Sequence, residues 1–226
     1  MALPTYLDLV NDVLVRMREP TVETVSQNTV SSLVGKYVND AKRQVADAYD
    51  WDAFNTAITV STTANNTGPY SLTGAGVRYK TMDVINTTAY NQLTPLSHQQ
   101  YDSFYYTIPN PTKGIPLYYT IRGVDSNGDI KVVFWPVPDA VYSIRFSLIV
   151  PESDMVNNTD TTLLAKEPIV LGAFARALVE RGEDGGLLSS EAYALYKQSL
   201  SDLISLEYLR CKSPVLPKPS TKSMRA

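Results

Sequence analysis

The side chains that most often perform covalent catalysis are scarce in this chain. His98 is its one histidine, and Cys211 is its one cysteine. A single histidine cannot supply the several imidazoles of a His-rich zinc site, and no Gly-x-Ser-x-Gly turn is present to carry a nucleophilic serine. We therefore interpret His98 as a structural residue and Cys211 as a bystander thiol. One cysteine also excludes a disulfide within the chain, which fits a reducing compartment.

Three alternating polar residues imitate the start of a calcium-binding loop. Asp125, Asn127 and Asp129 have the spacing of the first ligands of an EF-hand. That motif next needs a glycine and, at its last position, a glutamate, but Ile130 and Pro136 occupy these places. We interpret the segment as the turn of a β-hairpin.

Neither cofactor-binding motifs nor paired acidic residues indicate a catalytic or binding site. The Gly-Ala-Gly sequence at positions 74–76 lacks the third glycine of a dinucleotide fingerprint, and no Walker A sequence occurs. Glu180, Glu183 and Asp184 are clustered, but surface acids are usually just solvated. We expect no metal and no cofactor, and we predict that the protein is not an enzyme.

Helical periodicity begins near the N-terminus. Apolar residues at helical spacing predict one helix over residues 5–18, which Pro20 ends. A second helix is predicted from a cap at Ser31 or Ser32 to about Asp50.

Helical periodicity returns in the last third of the chain. Pro168 suits the first turn of a long helix, and Gly182 ends it. The last helix is predicted to begin at a cap, Ser189 or Ser190, and to run to about Leu209.

The middle of the chain has the composition and periodicity of β-strands. Two β-rich runs, at residues 117–122 and 130–135, flank an Asn-Gly pair that strongly favours a hairpin turn. Residues 141–150 alternate apolar and polar side chains, as in a strand with one buried face. Three further elements are predicted, namely strands at residues 57–62 and 77–87 and a short helix at 98–106.

The order of these elements predicts an α+β fold. We expect a helical bundle built from the N- and C-terminal helix pairs, over residues 1–55 and 160–209. An antiparallel β-rich domain, over residues 56–159, is inserted between them. Residues 210–226 contain three prolines among lysines and serines, a composition that favours an extended C-terminal tail.

Charge is distributed unevenly along the chain, whose net charge is −3. Five basic residues and no acidic ones follow residue 209, which leaves a charge of −8 on residues 1–209. These five are Arg210, Lys212, Lys218, Lys222 and Arg225. The plainer interpretation is a solvated terminus. Our hypothesis is a docking segment that orders on an acidic partner.

Composition also bears on location and partners. Asp8 and Asp12 interrupt the apolar residues of the N-terminus, which is therefore not expected to be a signal peptide. The longest apolar runs are shorter than the ~18 residues of a membrane span, so no membrane partner is expected. The 15 tyrosines exceed the 5 phenylalanines and 2 tryptophans, and tyrosine suits protein–protein surfaces.

Four segments resemble a known family. They are Leu-Val-Asn-Asp-Val-Leu at positions 9–14, Glu-Pro-Thr-Val at 19–22, Trp-Asp-Ala-Phe-Asn at 51–55 and Leu-Gly-Ala-Phe-Ala-Arg at 171–176. Their order and spacing resemble the tail tubular protein A family, the head-to-tail adaptors of short-tailed phages. The similarity is good over residues 5–55 and looser over 163–209.

The resemblance implies a structural virion protein at the head–tail junction, made in the host cytoplasm. It implies a homo-oligomeric ring, usually of twelve copies, with the portal protein above and a tail nozzle or tail tube protein below. DNA would pass through the lumen without specific binding, and the segment 210–226 would contact the portal.

Other functions remain open from the sequence. Another neck or head-completion protein belongs to the same broad class. A carbohydrate-binding β module would need exposed aromatic residues, for which Tyr105, Tyr106, Tyr118 and Tyr119 are candidates. A carboxylate-based glycosidase is the remaining alternative.

Overall fold

The computed structural model describes residues 3–182 and 187–211, and it has an α+β architecture. The described residues form five α-helices, and a 3-10 turn at Asp52–Phe54 follows the second. The helices are α1 (Tyr6–Arg16), α2 (Thr29–Ala48), α3 (His98–Tyr106), α4 (Lys166–Arg181) and α5 (Leu187–Cys211). The α+β prediction is confirmed, and the short helix lies where the sequence predicted it.

Ten strands lie between α2 and α4. They are β1 (Asn55–Ser61), β2 (Tyr70–Ser71), β3 (Lys80–Asn86), β4 (Asn91–Gln92), β5 (Thr94–Pro95), β6 (Lys113–Gly114), β7 (Tyr118–Val124), β8 (Ile130–Trp135), β9 (Val137–Pro138) and β10 (Ser143–Ile149). One sheet has the order β1-β10-β3-β4 and another the order β2-β8-β7-β5, while β6 and β9 form a separate pair. The pairs are antiparallel except β5 with β7 and β6 with β9.

The two four-stranded sheets share one apolar core. Along β10, Ile144, Phe146 and Leu148 are buried while Arg145 is exposed, so the alternation seen in the sequence reports the buried face correctly. The ring of Phe146 meets that of Tyr119 at 5.7 Å, edge to face. The remaining buried members of this core are Val60, Leu72, Ala75, Val84, Leu93, Ile130, Val132, Phe134 and Tyr142.

The predicted hairpin is present between β7 and β8. The Asp125 carboxylate accepts the backbone N–H groups of Asn127 (2.8 Å) and Asp129 (3.0 Å), which holds the turn closed. Gly128 has a φ of 85°, a conformation that glycine adopts without a steric cost. The interpretation of this motif as a turn is therefore confirmed.

The chain divides into two compact units. One comprises residues 1–8 and 42–164 and contains the strands. The other comprises residues 9–41 and 165–226 and contains α4 and α5. The division predicted from the sequence, with a bundle over 1–55 and 160–209 and an insertion over 56–159, stays a prediction.

Close packing in the helical unit centres on one glycine of α4. A Cβ atom placed on Gly172 would lie 3.2 Å from the Cβ of Ala41 and from a ring carbon of Tyr196. Two ion pairs join α4 to the N-terminal segment of the same unit, Lys166 with Asp12 and Arg181 with Glu19. The glycine therefore lets α4 approach both α2 and α5.

Both serine caps proposed from the sequence are wrong. The helix α2 begins at Thr29, and the Asn28 side chain accepts the N–H of Ser31 at 2.7 Å. Ser31 is thus the third helical residue, and Asn28 is the cap. The helix α5 already begins at Leu187, so Ser189 and Ser190 lie within its first turn. Several cap-forming residues precede each helix, and the local pattern did not select the right one.

Candidate interaction surfaces

The predicted docking tail lies almost entirely outside the described residues. Arg210 is placed near the end of α5, where its guanidinium lies 3.5 Å from Glu207 one turn earlier and its side chain is 66% exposed. Lys212, Lys218, Lys222 and Arg225 are outside the described residues, as is the rest of the segment 212–226. Docking through this tail stays a prediction.

The helix α5 exposes three leucines beside the side that it buries. Ala192 and Tyr196 are buried, whereas Leu188, Leu195 and Leu206 are each about half exposed. At 3.6 residues per turn these leucines lie within about 20° of one another and extend over roughly 27 Å of helix, and the exposed Asp202 lies on the same side, between Leu195 and Leu206. We refer to Leu188, Leu195 and Leu206 as the leucine stripe.

Three consecutive aromatic residues of α3 remain at least partly exposed. Phe104 stacks on Trp135 with ring centroids 6.0 Å apart, and Tyr105 stacks on Tyr101 at 5.7 Å. Phe104 is 41% exposed and Tyr106 is 67% exposed. We refer to Phe104, Tyr105 and Tyr106 as the aromatic surface, and large half-exposed rings of this kind are typical of protein-binding sites.

Local interactions hold α3 and its aromatic residues in place. The Ser97 side chain accepts the N–H of Gln100, and the Gln100 side chain accepts the N–H of Ser97, which together form a capping box. On the next turn, Asp102 forms an ion pair with Arg122 of β7. The Arg122 guanidinium also lies 5.1 Å from the centre of the Tyr101 ring, and burial raises the pKa of that tyrosine.

The residues considered for chemistry are engaged in turns or exposed. His98 is the first residue of α3 and is exposed. The Asp129 carboxylate accepts the N–H groups of Gly74 and Gly76, both at 3.0 Å, so it binds backbone amides of a second turn. Within residues 3–182 and 187–211, no three His, Cys, Asp or Glu side chains are grouped so that they could hold a metal ion. Glu183 and Asp184 lie outside the described residues.

A family model described as SU10 adaptor protein matches residues 4–214, which is nearly the whole chain. The chain belongs to the SU10 adaptor protein family. A search of curated proteins found no match.

Family membership makes the protein a phage adaptor and assigns it to the virion. The sequence-based resemblance to phage adaptors is therefore confirmed at this level. None of the helices in the described part of the adaptor is long and apolar enough to cross a bilayer.

The four tyrosines considered for glycan binding do not form one surface in this adaptor. Tyr119 is buried in the core between the sheets, whereas Tyr118 is half-buried and Tyr106 is exposed. Consecutive residues of a strand point to opposite faces, so Tyr118 and Tyr119 cannot both face outward. This proposed patch is wrong in that respect.

Sequence reasoning named Tyr105 and Tyr106 as candidate exposed aromatic residues, but it missed Phe104 beside them and the leucine stripe. The run of aromatic residues at positions 101–106 was the available signal for the aromatic surface. For the leucine stripe, the signal was the presence of leucines on more than one side of α5. A helix that is apolar on several sides needs more partners than one neighbouring helix supplies.

Proposed function

We propose that this adaptor is the repeating subunit of a ring of about twelve copies at the head–tail junction. The portal lies above the ring, and a tail nozzle or tail tube protein lies below it. The observation that carries the proposal is the family match over residues 4–214. The resemblance to the tail tubular protein A family supplies the finer assignment, including connection of capsid to tail during genome ejection.

In the proposed subunit the helices and the strands have different roles. The N- and C-terminal helix pairs form a bundle that makes the ring body, and the inserted β-rich domain faces the tail or a neighbouring subunit. Large apolar side chains that remain exposed favour protein contacts of this kind, namely the leucine stripe on α5 and the aromatic surface on α3. The basic segment 210–226 docks on the portal.

The negative charge of the chain favours a channel that conducts DNA over a surface that binds it. The charge of −8 on residues 1–209 favours an acidic lumen, which repels phosphates and lets DNA pass without specific contacts. The role is mechanical, and we propose that the adaptor works without a catalytic site or cofactor. Assembly takes place in the host cytoplasm, where the single cysteine stays reduced.

The deciding experiment measures mass in solution. The purified adaptor is mixed with its portal, and the mass of the complex is measured by native mass spectrometry or light scattering. We expect a ring-sized species with about twelve adaptors that forms on the portal. A different copy number would favour another neck or head-completion protein, and an adaptor that stays monomeric beside its portal would contradict the proposal.

Two variants test how the portal is bound. An adaptor truncated after residue 209 is expected to remain folded, by circular dichroism, and to lose the portal complex. Leu195→Lys places a charge in the leucine stripe and is expected to weaken assembly. Ser201→Lys adds the same charge on another exposed side of α5 and serves as the matched control. Normal assembly of the truncated protein would disprove docking through the tail.

A further inference from the structure

One sheet edge differs from the others in length. The two four-stranded sheets have four edge strands, β1, β4, β2 and β5. Three of these have two residues each, whereas β1 has seven. Short edge strands are a common protection against pairing with other chains, because they offer few free backbone groups. Only β1 among these four lacks this protection.

The strand β1 also lacks the other usual protections. Its sequence, Asn-Thr-Ala-Ile-Thr-Val-Ser, has no charged residue and no proline, and in fact no Asp, Glu, Lys or Arg occurs from residue 53 to residue 77. Its pairing with β10 is unbroken over seven residue pairs, so no bulge bends the edge away. Natural edge strands usually carry at least one of these devices.

Hydrogen bonds at the two ends of β1 show which backbone groups are free. The N–H of Val150 donates to the carbonyl of Phe54 at 3.0 Å, and the N–H of Thr62 donates to the carbonyl of Tyr142 at 2.9 Å. Antiparallel strands alternate between bonded and non-bonded pairs, so every even-numbered residue between them bonds to β10. The N–H and C=O groups of residues 57, 59 and 61 therefore point away from the sheet.

We infer that β1 is a binding edge for β1 of a second copy of this chain, antiparallel and related by a two-fold axis at Ile58. In this register Ala57 faces Thr59 of the second copy, and Asn55 faces its Ser61. The backbone groups that point outward belong to odd-numbered residues, and this register places odd opposite odd, as the hydrogen bonds require. A shift by one residue would place odd opposite even and would lose them.

The side chains and charges of the edge also suit a second copy. A two-fold axis brings like groups together, and the uncharged β1 creates no repulsion there. The nearest exposed charge on the outer face is Arg145 on β10. Across the joined sheets the two arginines would be three strand spacings apart, roughly 14 Å, which exceeds the screening length of about 8 Å at physiological salt.

This contact is separate from the proposed ring, and neither inference rests on the other. A two-fold contact uses the same surface on both copies and is complete with two, whereas a ring needs two different surfaces on each subunit. Pairing through β1 thus accounts for an edge that the free adaptor would otherwise expose. It predicts a dimer in the absence of portal.

The test uses the purified full chain without portal. Sedimentation over a concentration series is expected to show a mass that rises from one copy and stops at two. Hydrogen exchange followed by NMR gives a second measurement on the unmodified protein. The amides of residues 57, 59 and 61 are expected to gain protection as the dimer forms, while those of 56, 58 and 60 are protected throughout.

A matched pair of variants locates the contact. Thr59→Lys adds a charge at the free edge and is expected to raise the dimer dissociation constant roughly tenfold or more. Gln92→Lys adds the same charge on β4, at the other edge of the same sheet, and is expected to leave it unchanged. A monomer at all concentrations, a mass that grows beyond two copies, or fast exchange at residues 57, 59 and 61 within the dimer would each overturn the inference.

Discussion

The ammonium group of Lys42 lies 3.5 Å from the Glu152 carboxylate, although the lysine side chain is only 2% exposed. Lys42 also donates to the carbonyl of Ser153. Glu152 in turn accepts the hydroxyl of Thr162 at 2.7 Å and the N–H of Leu163 at 2.8 Å. A buried cation thus connects α2 with the segment that follows β10. Because a buried charge is costly without partners, this network constrains the path of that segment.

Removing this cation should destabilise the protein more than removing an exposed one. Lys42→Met keeps the apolar stem and is expected to lower the free energy of unfolding by about 2–4 kcal/mol. Arg43→Met is the control, because Arg43 lies 3.4 Å from Asp154 and both side chains are close to half exposed. Its loss should stay below about 1 kcal/mol. Urea unfolding measures both, and equal losses would contradict the argument.

The tight approach of α4 to its neighbours gives a second prediction. Gly172→Leu would force a side chain against Ala41 and Tyr196 and is expected to destabilise the protein by about 2–3 kcal/mol. The control is Gly114→Leu, since a Cβ on Gly114 meets no atom within 4 Å and its φ is not positive. That change should stay within about 0.5 kcal/mol. Thermal or urea unfolding measures the stability of the two variants. If Gly172→Leu left the stability unchanged, the helices would be able to separate at this position.

Two carboxylates should make stability depend on pH in acid. Hydrogen bonds from the N–H groups of Asn157 and Val156 lower the pKa of Asp160, and the bond from the N–H of Asp129 is the main cause that lowers the pKa of Asp125. A group with a lowered pKa in the folded state stabilises the protein above its unfolded pKa, near 3.8. This stabilisation is lost as the pH falls through the folded pKa.

Urea unfolding between about pH 2 and pH 6 should therefore show stability rising with pH in the unmodified protein. Asp125→Asn and Asp160→Asn each remove one titrating group while keeping an oxygen that accepts hydrogen bonds. Each variant is expected to have a shallower dependence on pH, and the double variant the shallowest. An unchanged slope in the double variant would assign the acid sensitivity to other groups.

How much of this fold the sequence predicts depends on how local the signal is. The hairpin around Asn127-Gly128 was predicted correctly because its turn depends on residues close together in the sequence, namely Gly128 with its positive φ and Asp125, whose carboxylate accepts two N–H groups of the turn. The strand β10 was found because its alternation reports one buried face. In contrast, the partners Lys42 and Glu152 lie more than a hundred residues apart, and no pattern along the chain connects them.

Surfaces were harder to predict than elements. The exposure of Phe104 and the burial of Tyr119 depend on which strand or helix covers each ring, and that is decided by tertiary packing. The leucine stripe was missed for the same reason. A helical pattern shows that apolar residues recur, but it does not show how many sides of the helix find partners.

The start of α2 gives a last prediction. The Asn28 side chain accepts the N–H of Ser31, and the Ser31 hydroxyl accepts the N–H of Asn28, which satisfies donors that the first helical turn leaves free. Asn28→Ala is expected to lower the free energy of unfolding by about 1 kcal/mol. Asn28→Asp keeps an oxygen that caps the helix and should therefore retain most of this stabilisation. Ser32→Ala removes a hydroxyl that the sequence had suggested as a cap and should cost no more than about 0.5 kcal/mol. If urea unfolding instead found Ser32→Ala the more harmful change, Asn28 would not be the residue that fixes the start of this helix.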